Sequence, residues 1–193
     1  MALNTVVLYG SVRQARRGIG AARFVTAQLE KRGHAVTLVD PMERQLPLLD
    51  RMYKEYEPGE APAVLEELAG LYRAADGFVI VSGEYNHGMP PALKNLLDHF
   101  LEEYFFRPSA IVCYSAGSFG GVRAAMQLRM TLAEIGMPSI SSIFSVPRVQ
   151  NAFELDGTPD DPATWERRIG RFLDEFEWHE RALKAERAKG TPY

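Results

Sequence analysis

The sequence predicts a three-layer α/β/α fold on a five-stranded parallel sheet in the order 2-1-3-4-5, with residues 1–193 forming a single domain. Three observations support this. Short apolar, β-branched runs alternate with longer amphipathic stretches, which implies a parallel sheet with helices on both sides. The runs are continuous rather than strictly alternating, as strands buried on both faces require. Right-handed crossovers then leave few strand orders for five such units. At 193 residues and 46% hydrophobic content, the chain is long enough for a substantial core.

The elements follow in order. Strands are expected at Thr5–Tyr9, Ala35–Val39, Gly77–Ser82 and Ala110–Tyr114, each bounded by turn residues. A serine-richer fifth falls at Ser139–Val146. Helices are expected at Ile19–Arg32, Ala61–Ala74, Pro91–Leu101 and Val122–Ile135. The last helix, Pro162–Ala188, carries Trp165, Ile169, Phe172, Leu173 and Phe176 at one-face spacing, after an acidic start at Asp160–Asp161. His34 follows Gly33 at a helix end, the place of a C-terminal cap. Pro41–Glu60 has no clear periodicity, and its Pro47, Tyr53, Tyr56 and Pro58 suit a rim or subunit contact.

Composition removes several function classes. The single cysteine, Cys113, forms no internal disulfide or Cys-rich metal site, and inside an apolar strand it reads as a small buried hydrophobe. The four histidines show no metal spacing, so no metal is expected. A net charge of −3 argues against nucleic-acid binding. No apolar run reaches membrane length, and the start lacks a basic region before its apolar run, so a cytoplasmic protein with no membrane partner is expected. Charge placement says more than the total. No Asp or Glu precedes Glu30, whereas Arg13, Arg16, Arg17 and Arg23 do, which makes a local anion-attracting region.

Ligands of such sheets collect beyond the C-terminal strand ends, where the order switches between strands 1 and 3. After strand 1, Gly10-Ser11-Val12-Arg13-Gln14-Ala15-Arg16-Arg17-Gly18-Ile19-Gly20 brings a hydroxyl, arginines and glycine amides to a helix N-terminus, the parts of a phosphate cradle. It is neither a Walker loop nor a dinucleotide fingerprint, since Arg23 stands where a third glycine belongs; Asp40, ending strand 2, would otherwise complete that pattern. After strand 3, Glu84, Tyr85, Asn86 and His87 sit beside Gly88 and Pro90, a rigid loop suited to a flat heteroaromatic ligand. The following Lys94 and Asp98 have the spacing of a surface ion pair. After strand 4, Ser115-Ala116-Gly117-Ser118-Phe119-Gly120-Gly121 lets backbone approach a ligand plane. Cys113 to Gly117 is a near miss to the Gly-x-Ser-x-Gly nucleophile elbow, but only His179 follows it.

Together these motifs resemble the NADPH-dependent FMN reductase family of flavodoxin-like proteins. Gly10, Ser11 and Arg13 match its opening Gly-Ser-x-Arg, and Arg16 and Gly18 match the continuation found in one subgroup. Glu84, Tyr85, Asn86, Pro90, Leu93, Lys94, Asn95 and Asp98 match its long central signature, and Gly120, Gly121 and Arg123 its third motif. Two departures stand out. Gly83 replaces a common Pro, and Ala116 precedes Gly117 where Tyr-Gly is common, so an aromatic wall is either lost or supplied by Phe119.

The resemblance implies a flavodoxin-like fold and an FMN cofactor. Ser11, Arg13, Arg16, Gly18 and the amides near Ile19 and Gly20 would hold the phosphate, while Glu84, Tyr85, Asn86 and His87 would face the ring, with Ser115, Gly117 and Gly120 opposite. It implies hydride transfer from NADPH or NADH to flavin N5 and then to a quinone or similar small-molecule electron acceptor, ping-pong, with no catalytic acid or base. It also implies a homodimer or homotetramer, with a second subunit closing the cleft through the third helix, the Pro41–Glu60 loop or the last helix. Rival readings are a flavodoxin-like electron carrier, a non-catalytic flavin-bound redox sensor, and a hydrolase using Ser115.

Overall fold

The computed structural model describes residues 2–193. Five parallel strands, β1 (Asn4–Tyr9), β2 (Ala35–Val39), β3 (Gly77–Gly83), β4 (Ser109–Tyr114) and β5 (Ser139–Val146), form one sheet in the order β2-β1-β3-β4-β5. The helices are α1 (Gly18–Lys31), α2 (Ala63–Ala74), α3 (Pro91–Asp98), α4 (Val122–Glu134), the short α5 (Val149–Ala152) and α6 (Pro162–Arg187).

Side chains alternate across the sheet and build two cores. Val7 and Tyr9 of β1 pack with α1, α5 and α6, where Phe24, Phe153, Trp165 and Phe172 cluster. Val6 and Leu8 point the other way, onto Leu68 and Tyr72 of α2, Leu93 and Leu97 of α3, and Leu128 of α4. This is the expected three-layer α/β/α arrangement.

Several boundaries differ from expectation, each for a local reason. Helix α3 stops at Asp98 rather than Leu101, because His99 Nδ1 lies 2.7 Å from the Asn95 carbonyl, the acceptor its own backbone amide would need. Helix α2 begins at Ala63, behind Pro62, whose extended backbone places its carbonyl to accept the Leu65 and Glu66 amides. Short 3₁₀ turns at Tyr53–Glu55 and Glu102–Tyr104, and helix α5, lie in segments read as irregular. Helix α6 starts as expected, with the Asp161 carboxylate accepting the Thr164 amide at 3.2 Å.

His34 completes the helix cap through its backbone: Gly33 takes the left-handed turn at φ +85° and the His34 amide donates to the Leu29 carbonyl at 3.3 Å, while its buried ring accepts the Leu3 amide on Nδ1 and sets Nε2 3.1 Å from Glu177 of α6. The Pro41–Glu60 segment is tied down by Asn95 of α3, which accepts the Leu49 amide and donates to the Pro47 carbonyl, at 2.9 and 2.8 Å. Tyr53 and Tyr56 pack against the chain's own α2–α3 core, so this stretch forms a rim on its own domain.

Candidate functional site

The ends of β1, β3 and β4 deliver their loops to one cleft of about 320 Å³ at the switch point between β1 and β3. Ser11, Arg13, Arg16, Arg17 and Gly18 line it from the first loop, Glu84 and Tyr85 from the second, and Tyr114, Ser115 and Ala116 from the third. Val149 and Gln150 of α5 close one side.

The first loop is shaped by close packing. A Cβ at Gly10 would lie 2.7 Å from that of Leu93, so a residue with a side chain would push α3 away. Buried Ser11 accepts the Arg13 amide on Oγ at 3.4 Å. Arg16 pairs with buried Asp40 and donates to the Ser11 carbonyl at 3.3 Å, with its guanidinium 5.5 Å from the Tyr9 ring centre. The hydrogen bond Arg16 donates to Asp40 raises the Arg16 pKa above its ordinary value, so this cation is permanent. Exposed Arg13 and Arg17 form no ion pair among the described residues.

Two expected phosphate contacts are arranged otherwise. The Ile19 and Gly20 amides donate to the Arg16 and Arg17 carbonyls, at 3.2 and 3.3 Å, which tightens the entry to α1. Ile19 faces a neighbouring hollow with Arg17 and Arg23, and Gly20 packs against the Glu154 carbonyl and Phe153. Gly18 is required by contact with Tyr114, since any Cβ there would enter that ring.

The second loop turns tightly. Tyr85 and Gly88 exchange backbone hydrogen bonds at 2.9 Å, with Asn86 and His87 left-handed at φ +49° and +67°. Asn86 extends the cleft beside Arg13, but exposed His87 does not line it. Glu84 is committed elsewhere: its Oε2 accepts the first-turn amides of α4, and Arg123 approaches its other oxygen at 3.7 Å. Lys94 and Asp98 form the expected surface pair.

In the third loop Ser115 lines the cleft, while Gly117 and Gly120 do not. The Gly117 carbonyl accepts from the Ser115 hydroxyl and the Arg148 amide, and Gly120 turns at φ +62° against the end of β5. Phe119 is no cleft wall, being 60% exposed beneath Arg123. Tyr114 provides the aromatic surface instead, its ring against Gly18 and Gly83 and its hydroxyl 3.4 Å from that of Tyr9. Burial raises both tyrosine pKa values, so the floor is uncharged. Cys113 points away into the α2–α4 core, and burial pushes its thiol up to about 12. None of the four histidines hydrogen-bonds to Ser115, so the hydrolase reading has no base.

Sequence reasoning missed Tyr114, Val149 and Gln150, and Tyr9 behind Tyr114. The available signal was an aromatic ending each of two strands directly before a glycine- or serine-rich loop.

Residues 3–151 match the family described as NADPH-dependent FMN reductase. The chain belongs to this family. Among curated relatives it is 30% identical over 134 residues to an NADPH azoreductase of a Bacillus species, covering 69% of this chain and 70% of that protein. It is 35% identical over 136 residues to a quinone reductase of Escherichia coli, covering 67% and 69%. In structure, the FMN reductase family member described here superposes on FerB, a flavoenzyme NAD(P)H:(acceptor) oxidoreductase from Paracoccus denitrificans, with a TM-score of 0.75 at 21% identity. That superposition covers 93% of this chain and 98% of FerB, and it supports the flavodoxin-like fold. No helix among the described residues is long and apolar enough to cross a membrane.

Proposed function

We propose that the protein is an FMN-dependent NAD(P)H oxidoreductase that reduces quinones or similar small-molecule acceptors. The observation that carries the reading is the charge at the cleft. Three arginines stand at the entry to α1, a helix with no acid in its first turn, and the one carboxylate lining the cleft, Glu84, is held by α4. That arrangement favours a dianionic phosphate, and the Tyr114 and Tyr85 rings beside it favour a flat heterocycle. The residues therefore fit FMN.

Ser11, Arg13, Arg16 and Arg17 would hold the phosphate, with Gly18 keeping the helix entry close to the cleft. Tyr85, Asn86 and Ser115 would border the ring. When bound, FMN supplies the redox chemistry, taking a hydride from NADPH or NADH and reducing an acceptor in a second half-reaction. The chain's own task is to bind and orient, and its neutral tyrosine floor adds no acid or base at neutral pH.

A second copy of the chain would cover the cleft edge, as a homodimer or homotetramer. Support comes from α4, along with exposed Leu48 of the Pro41–Glu60 loop and Trp178 of the last helix on the surfaces first expected. Phe119, Val122, Met126 and Met130 form an exposed apolar stripe that begins at the third loop. Light scattering at micromolar concentration should give twice or four times 21.6 kDa.

The deciding experiment is spectroscopic. Purified protein should show a flavin absorption spectrum, release FMN on denaturation, and bleach on anaerobic mixing with NADPH or NADH, with colour restored by a quinone. Protein that stays colourless after incubation with FMN overturns the reading; FMN-bound protein that neither nucleotide bleaches leaves the electron carrier, and bleaching without reoxidation by quinone leaves the redox sensor.

A further inference from the structure

Asp40 is a buried carboxylate at the mouth of an anion site. Its side chain is 3% exposed, at the end of β2, the strand beside β1. Its Oδ1 accepts the Met42 amide at 2.9 Å and pairs with Arg16 Nη1. Arg16 is correspondingly immobile for an arginine. Its side chain is only 15% exposed, with Asp40, the Ser11 carbonyl and the Tyr9 ring around it. All of its hydrogen bonds use Nη1, so Nε and Nη2 have no partner among the described residues, and Arg16 lines the cleft. Arg13 and Arg17 on the same lip are exposed, and an exposed arginine that no ion pair holds keeps its rotamer freedom.

We infer that Asp40 is a positioning residue, which clamps Arg16 so that the cleft offers a phosphate one pre-set guanidinium between two mobile ones. The inference rests on the proposed FMN reading. A free arginine must lose rotamer freedom when it binds an anion, whereas a clamped one has lost it on folding, so the clamp strengthens binding of the phosphate and not of the ring. The carboxylate also carries a negative charge toward an anion site. The clamp predicts that the orienting effect outweighs this repulsion, which fixes the sign of the test.

The full-length chain, freed of flavin, is titrated with FMN and separately with riboflavin, which lacks the phosphate, following flavin fluorescence. Asp40→Asn retains an uncharged acceptor for the Met42 amide and for Arg16; Asp40→Ala removes it. The Asp40→Ala variant should bind FMN about five- to tenfold more weakly with riboflavin affinity unchanged, and Asp40→Asn should fall between it and the wild type. In an Arg16→Gln background, where no guanidinium is left to orient, the Asp40→Ala change should no longer weaken FMN binding and should leave it equal or tighter, because only the carboxylate's repulsion is removed. Tighter FMN binding by Asp40→Ala, equal losses for FMN and riboflavin, or additive effects in the double variant would each overturn the clamp while leaving the FMN reading intact. Failure of the wild type to bind either flavin overturns both. Circular dichroism identifies a variant that has not folded, and Asp40→Asn then carries the comparison.

Discussion

Glu84, the first residue of the second cleft loop, caps helix α4: its Oε2 accepts the backbone amides of Arg123 at 3.1 Å and Ala124 at 3.2 Å. Helix α4 follows left-handed Gly121 and has no side-chain cap of its own, so a carboxylate from another loop satisfies two first-turn donors and meets the positive end of the helix. The residue therefore joins the second and third loops to each other.

Glu84→Ala should lower stability by about 1–2 kcal/mol, the ordinary cost of losing a helix cap. Glu84→Gln, which keeps an acceptor and loses the charge, should cost less. Urea denaturation of both variants checks the order, and equal losses would show that charge alone matters.

Gly18 and Tyr114 make a second coupled pair. Gly18→Ala places a methyl group in the Tyr114 ring and should destabilise the fold by about 1–3 kcal/mol, the usual range for overpacking. In a Tyr114→Ala background the same change should cost much less, because the obstructing ring is gone. A thermal-melt double-mutant cycle measures the difference, and simple additivity would place the strain elsewhere.

At the opposite end of the sheet, Glu180 of α6 is fully buried. It accepts the Thr5 hydroxyl at 2.8 Å and fills the space above Gly77, with Asp76, Glu177 and Arg181 around it. Burial raises its pKa to about 8. A carboxyl whose folded pKa lies above its unfolded value binds its proton more tightly in the native state, so its stabilisation is complete below the unfolded pKa and is lost as pH rises through the folded one. Wild-type stability should thus fall relative to Glu180→Gln between roughly pH 5 and 8, with a limiting slope of about 1.4 kcal/mol per pH unit for one proton. Parallel urea titrations across that range test it, and parallel curves would contradict it.

The sheet was legible because buried parallel strands are continuous apolar runs, and β2 and β5 fall where the runs do. Asp161 announced α6 for the same local reason. The cleft was legible as three loops, since strand order alone brings them together. Its wiring was not. Asp40 and Arg16 belong to separate elements, and nothing near Glu84 in sequence marks it as the cap of α4. Gly18 reads as a phosphate-loop glycine, yet the ring that forbids a side chain there ends β4. Such relationships depend on which side chains meet across the fold, and local pattern does not encode that.

The stretch that carries the family likeness ends at residue 151, whereas Trp165, Ile169, Phe172, Leu173 and Phe176 of α6 close one of the two cores. Those residues cover Val7, Val79 and Val112, side chains from the three strands whose loops shape the cleft. The chemistry at one end of the sheet is therefore held up by a helix beyond the residues of the family match. A fragment cut at residue 151 would carry every cleft residue named above and still expose to water the part of its sheet that α6 covers.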